Sequence, residues 1–148
     1  MIGGHDSVIV QTAVRLLLPW IRIFGLYVLF HGHSSPGGGF QGGVIFAASY
    51  IVLGLALGRR ELERCAPERA TLQWAAVGAL VFFGVGVAAL VGGGALLDYG
   101  SLPLPVPEGP ALRAFGVLLI EIGVFLAVAA SLTLIFVRLA KVAEEESA

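Results

Sequence analysis

The residues of this chain that could do chemistry are few. Most lie in one stretch, His31-Gly32-His33-Ser34-Ser35-Pro36-Gly37-Gly38-Gly39-Phe40-Gln41-Gly42-Gly43. His31 and His33 are residue types that titrate near neutral pH and ligate metals. A metal site needs more ligands, and the only other histidine is His5, at the far end of the first apolar run; no metal site is expected. Gly37, Gly39 and Gly42 fit the spacing G-x-G-x-x-G. That fingerprint binds dinucleotides only between a strand and a helix of a βαβ unit, and here an apolar run precedes it. No Lys-Ser/Thr pair follows, so the stretch is not a phosphate-binding P-loop. The single cysteine, Cys65, permits neither an internal disulfide nor a cysteine cluster. With no nucleophile–base pair, no enzyme is expected, and no cofactor.

What the stretch can do is physical. Five glycines and a proline within residues 36–43 break a helix and set a tight turn. Irregular backbone of this kind is tolerated at membrane depth only where protein or water covers it. The N–H groups at the start of the following helix, near Gln41, suit an anion or a carboxylate.

A second group of residues is conspicuous by its surroundings. Gln11, Arg15 and Arg22 lie in the first apolar run, within about 40° of one another at 100° per residue. Pro19 lies at the edge of that stripe. Glu121 lies near the middle of the last apolar run. Ionisable groups in a membrane span are costly and face protein, water or an opposite charge. Glu121 is therefore a candidate ion ligand or proton relay. The competing reading is an ion pair with an arginine of this chain or of a neighbour.

Four apolar elements position these residues: approximately 8–30, 40–58, 71–96 and 111–137. A helix needs about 20 residues to cross the roughly 30 Å of bilayer hydrocarbon. The chain is 57% hydrophobic and 13% charged, against roughly 25% charge in soluble domains. The expected fold is thus an all-α integral membrane protein of four helices, one transmembrane domain over residues 1–148, with a short acidic tail at 141–148. Six basic residues (Arg59, Arg60, Arg64, Arg69, Arg138 and Lys141) fall on the side of the termini, against Arg113 on the other. The excess of positive charge predicts cytoplasmic termini. A net charge of −1 gives no reason to expect nucleic acid. Small residues at Gly54 and Gly58, and at Gly84, Ala88 and Gly92, recur at i, i+4 and suit close helix packing, within this chain or with partners.

The run LYVLFHGHSSPGGGFQGGVI resembles the signature of the B subunit of Mrp-type multi-subunit sodium/proton antiporters. His31, Gly32, His33, Ser35, Pro36, Gly37, Gly38, Gly39, Phe40, Gln41, Gly42 and Gly43 match it. Ser34 stands where an asparagine is common. Asp6-Ser7-Val8-Ile9-Val10-Gln11-Thr12 also resembles the family's start, and the resemblance covers most of the chain. It implies a small subunit of a bacterial or archaeal cell-membrane assembly of about six or seven different subunits. Such assemblies exchange cytoplasmic Na+ for external H+, and this subunit is not expected to transport alone. Two alternatives remain open from the sequence. One is the related membrane arm of a membrane-bound hydrogenase or sulfur reductase. The other is a purely structural scaffold.

Overall fold

A computed structural model describes residues 7–32, 37–105 and 109–146, apart from the side chain of Glu144. The described residues contain helices and no strand. Helix α1 spans Val8–Phe30, α2 Gly39–Leu57, α3 Arg59–Cys65, α4 Glu68–Val91 and α5 Pro110–Glu145. A 3-10 turn at Tyr99–Ser101 interrupts the segment between α4 and α5. Helices α1, α2, α4 and α5 are long and apolar enough to cross a membrane.

The ends of α4 and α5 and one connection differ from the expected ones. Helix α4 stops at Val91 rather than 96 because Gly92, Gly93 and Gly94 follow it. Gly93 takes φ +86°, a left-handed conformation that glycine adopts without a β-carbon penalty. The amides of Gly93 and Gly94 close the helix onto the carbonyls of Leu90 and Ala89. Helix α5 runs past Val137 to Glu145. Arg138 and Lys141 end the apolar run, but Leu, Ala, Lys and Glu are all good helix formers. The charged 59–70 connection holds the short helix α3, whose Leu62 is fully buried.

The spanning helices pack as a row rather than a closed bundle, in the order α1, α2, α5, α4. Helices α1 and α4 form its two edges. Burial follows that order: 17% of the most apolar window of α1 is buried, against 39% for α2. Each seam is made by glycine, which lets backbones approach where no hydrophobic effect drives association. A β-carbon on Gly42 of α2 would stand 2.7 Å from the Gly25 carbonyl oxygen of α1. One on Gly43 would stand 2.9 Å from the Phe125 carbonyl oxygen of α5. On α4, one at Gly78 would stand 2.6 Å from the Gly123 carbonyl oxygen of α5.

Two apolar clusters close the ends. Leu18, Leu53, Leu62, Ala66 and Val137 gather where α3 folds onto the row. Val85, Ala89, Leu102 and Leu112 gather where the 97–105 segment covers α4 and α5. Outside the spans, Asp98 accepts from Ser101 Oγ (2.9 Å) and the Gly100 amide (3.1 Å). These bonds, chiefly that from Ser101, hold its carboxyl below the ordinary value of 3.8.

Gly32, Gly38 and Gly39 meet α5 at Glu121, eleven residues after Pro110 and so about 16 Å below the tip of α5. These three glycines therefore lie alongside the spanning part of α5.

Candidate functional site

The glycine-rich stretch and Glu121, far apart in sequence, meet in space. Gly32 ends the described part of the turn after α1, and Gly38 precedes α2. A β-carbon at Gly32 would stand 2.6 Å from Glu121 Oε2, and one at Gly38 would stand 3.0 Å from Oε1. A β-carbon at Gly39 would overlap the Glu121 carbonyl oxygen and lie 2.8 Å from its carbonyl carbon. Three glycines thus clear a space for one carboxylate. That carboxylate lies at the N-terminus of α2, the positive end of a helix whose first N–H groups lack helical acceptors.

The other residues of the stretch divide by role. Gly42 and Gly43 are buried in the seams toward α1 and α5. Phe40 and Gln41 are exposed and face away from the row. The His31 ring stacks on Tyr27 with centroids 4.0 Å apart, and its Nδ1 donates to the Tyr27 carbonyl oxygen at 3.0 Å. His33, Ser34, Ser35 and Pro36 lie outside the described residues, as does His5. Among the described residues, no group of three or more His, Cys, Asp or Glu side chains is placed to hold a metal.

Arg22 does not pair with Glu121. Its Nε donates to Ser49 Oγ at 3.1 Å, and its guanidinium carbon lies 4.5 Å from the Tyr50 ring centroid. Ser49 in turn donates to the Phe46 carbonyl oxygen at 2.7 Å. Ser49 lies ten residues along α2 from Gly39, about 15 Å from the carboxylate at the helical rise. Of the competing reading, an ion pair of Glu121 with an arginine of this chain or of a neighbour, the pair with Arg22 is replaced by a hydroxyl and an aromatic face. Arg22 Nη2 is buried and has no hydrogen-bond partner among the described residues. Arg15 is exposed. Its neighbour Val14 packs against the same cluster as Leu57, at the end of α2, so Arg15 lies near one end of the row, away from Glu121.

Ser49 and Tyr50 have no sequence signal of their own, and their role follows only from the crossing of α1 and α2. Gly25 could have been suspected as a small residue in the first span. The small residues on the α4 side separate too. Gly92 backs onto the Ser101 carbonyl oxygen, whereas Gly84 has open space where a β-carbon would be. Gly54 meets Phe136 and Leu62, and Gly58 takes φ +88° between α2 and α3.

Glu121 also lines a groove of about 320 Å³ on the outside of the row, with Phe30 of α1 and Ala111, Ala114, Phe115 and Leu118 of α5. The carboxylate is thus shared between an inner glycine cradle and an outer apolar groove. Such a group can hold a proton, a cation or a basic side chain.

Comparison with known proteins adds the following. A family model described as a domain related to the MnhB subunit of Na+/H+ antiporter matches residues 9–134. Proteins named "Putative antiporter subunit mnhB2" from Staphylococcus aureus strains Newman, JH1 and NCTC 8325 are 38% identical over 63 residues. That alignment covers 43% of this chain and 45% of each relative, so the chain spans about half the length of the curated relatives it matches.

Proposed function

This chain belongs to the MnhB-related family of Na+/H+ antiporter domains, and from that premise we propose that it is a small multi-pass membrane subunit of a multi-subunit Na+/H+ antiporter. The assembly, rather than this chain alone, exchanges Na+ for H+ across a bacterial or archaeal cell membrane. The chain is a transporter-complex component and not an enzyme, and it binds no cofactor of its own. Its termini face the cytoplasm, as the six-to-one distribution of basic residues favours.

The observation that carries the reading is the family match over most of the chain. The open row supports it. An edge helix such as α1 leaves Trp20 (70% exposed) and Ile9 (81% exposed) on its outer side, which suits a chain bordered by other subunits and lipid. One cradled carboxylate is too little for a complete ion path inside this chain. A path shared with neighbouring subunits is the better fit. The family description names an antiporter, which favours that assembly over the hydrogenase or sulfur reductase arm.

Two measurements test this. The tagged chain, purified in mild detergent, should bring down several different membrane subunits of an antiporter. Recovery as a monomer or homo-oligomer, or with nickel-iron hydrogenase subunits, would sink the reading. Vesicles holding the assembled complex should lose most Na+/H+ exchange with Glu121→Gln. Normal exchange in a normally assembled Glu121→Gln complex would reduce the chain to a scaffold.

A further inference from the structure

Arg22 is a cation held deep in the row. It bonds Ser49, which stands ten residues along α2 from Gly39 and eight before Leu57, so about 15 Å and about 12 Å from the two ends of that helix. Within the chain Arg22 meets a hydroxyl, through Nε, and the ring of Tyr50. Neither carries a negative charge, and an arginine is always charged. Among the described residues Arg22 has no ion pair, and its Nη2 has no hydrogen-bond partner.

Tyr50 joins this charge to a groove. Helices α2 and α4 flank α5 in the row and leave about 240 Å³ between them. Phe46 and Tyr50 of α2 line one wall, Thr71 and Trp74 of α4 the other, and Ala129 and Ala130 of α5 lie between. Thr71 donates its hydroxyl to the Pro67 carbonyl oxygen at 3.0 Å, so that wall offers no free polar group. The Arg22 guanidinium carbon lies 4.5 Å from the Tyr50 ring centroid. The groove is thus apolar, with one positive charge at its α2 rim.

The geometry points to this groove as the seat of a transmembrane helix from another subunit of the assembly, carrying an aspartate or glutamate at the depth of Arg22. The inference rests on the antiporter-subunit reading and adds an interface to it. Charge and depth choose the occupant. A lipid tail in the groove brings no anion. A lipid phosphate lies outside the hydrocarbon, whereas the bond to Ser49 holds Arg22 about 12 Å inside the nearer end of α2. A helix places a carboxylate at any depth, and a cation within a span is costly unless such a charge opposes it. Ala129 and Ala130 admit a second backbone closely, as helix contacts in lipid require.

The test places a photoreactive phenylalanine analogue at position 74 of the full chain, expressed with its partner subunits. Trp74 is 56% exposed and lies six residues into α4, about 9 Å from its start and close to the depth of Tyr50. After irradiation of membranes, the adduct should map to one span of one other subunit, within about one helical turn of an aspartate or glutamate. Arg22→Met should cut recovery of that subunit in mild detergent several-fold, and Arg22→Lys should retain most of it. Arg22→Glu should abolish recovery, and converting the mapped acid to arginine in the same complex should restore it. Adducts to lipid alone, or to a span without an acidic residue, would overturn the proposal. So would full recovery with Arg22→Glu, or no restoration by the exchanged pair. If the unsubstituted chain recovers antiporter subunits while residue 74 labels only lipid, the interface fails and the antiporter reading stands. If it recovers no subunit, both fail.

Discussion

Gly39 lies so close to the main-chain carbonyl of Glu121 that a β-carbon at residue 39 would overlap its oxygen. The contact is backbone against backbone, so rotation of a side chain cannot relieve it. It fastens the first residue of α2 to the eleventh residue beyond the start of α5. The acid is thereby held at the end of the glycine-rich turn. Gly39→Ala should force α2 and α5 apart, costing about 1–3 kcal/mol as overpacking does. Thermal melting of the purified chain in detergent should show the loss. An unchanged melting temperature would mean that the seam yields without cost.

Gly78 and Gly84 offer a matched pair on α4. Gly78 faces α5, where a β-carbon would stand 2.6 Å from the Gly123 carbonyl oxygen, whereas Gly84 faces open space. Gly78→Ala should therefore destabilise the isolated chain by about 1–3 kcal/mol. Gly84→Ala should leave it unchanged or stabilise it by up to about 1 kcal/mol, because alanine is the better helix former. If Gly84→Ala harms only the assembled complex, by loss of co-purifying subunits, another helix packs on that face.

Arg22 donates a side-chain hydrogen bond to Ser49. Ser49→Ala should cost about 1–3 kcal/mol, since a partly buried cationic group loses an acceptor. Combined with Arg22→Met, the same change should cost much less, because the two residues act as a pair. A double-mutant cycle read by detergent melting curves checks this, and strict additivity would show the bond to be energetically idle.

Asp98 provides a pH signature outside the spans. Bonds from Ser101 and Gly100, aided by Arg113, lower its folded-state value below the ordinary 3.8. The stabilisation is therefore present above that ordinary value and is lost as pH falls through the lowered folded one. The Gly100 amide shift, followed by NMR during acid titration, should report a midpoint below the ordinary value. Ser101→Ala should move that midpoint upward, and no movement would assign the lowering to another group.

Much of this protein was legible in the chain itself. Val8–Phe30 is a helix with the expected limits, because a long, mainly apolar run leaves the backbone no other way to satisfy its hydrogen bonds in lipid. The end of α1 at Phe30 and the start of α2 at Gly39 were legible from the glycines between them for the same kind of local reason. The end of α4 was less so. Gly92, Gly93 and Gly94 count as apolar, but Gly93 turns left-handed and closes the helix.

Only the tertiary structure decided what the polar residues of the spans do. Glu121 and Arg22 are the opposite charges that a sequence invites one to pair, yet packing places them about 15 Å apart along α2. The crossing of α1 on α2 is set by Gly25 against Gly42, which brings Arg22 to Ser49 and Tyr50. That of α2 on α5 is set by Gly39 and Gly43, which brings the glycine-rich turn to Glu121. Composition and local pattern determine that helices form and that a turn follows α1. Which face meets which depends on contacts between residues distant in the chain, and those contacts made one site of Glu121 and the glycines of the turn.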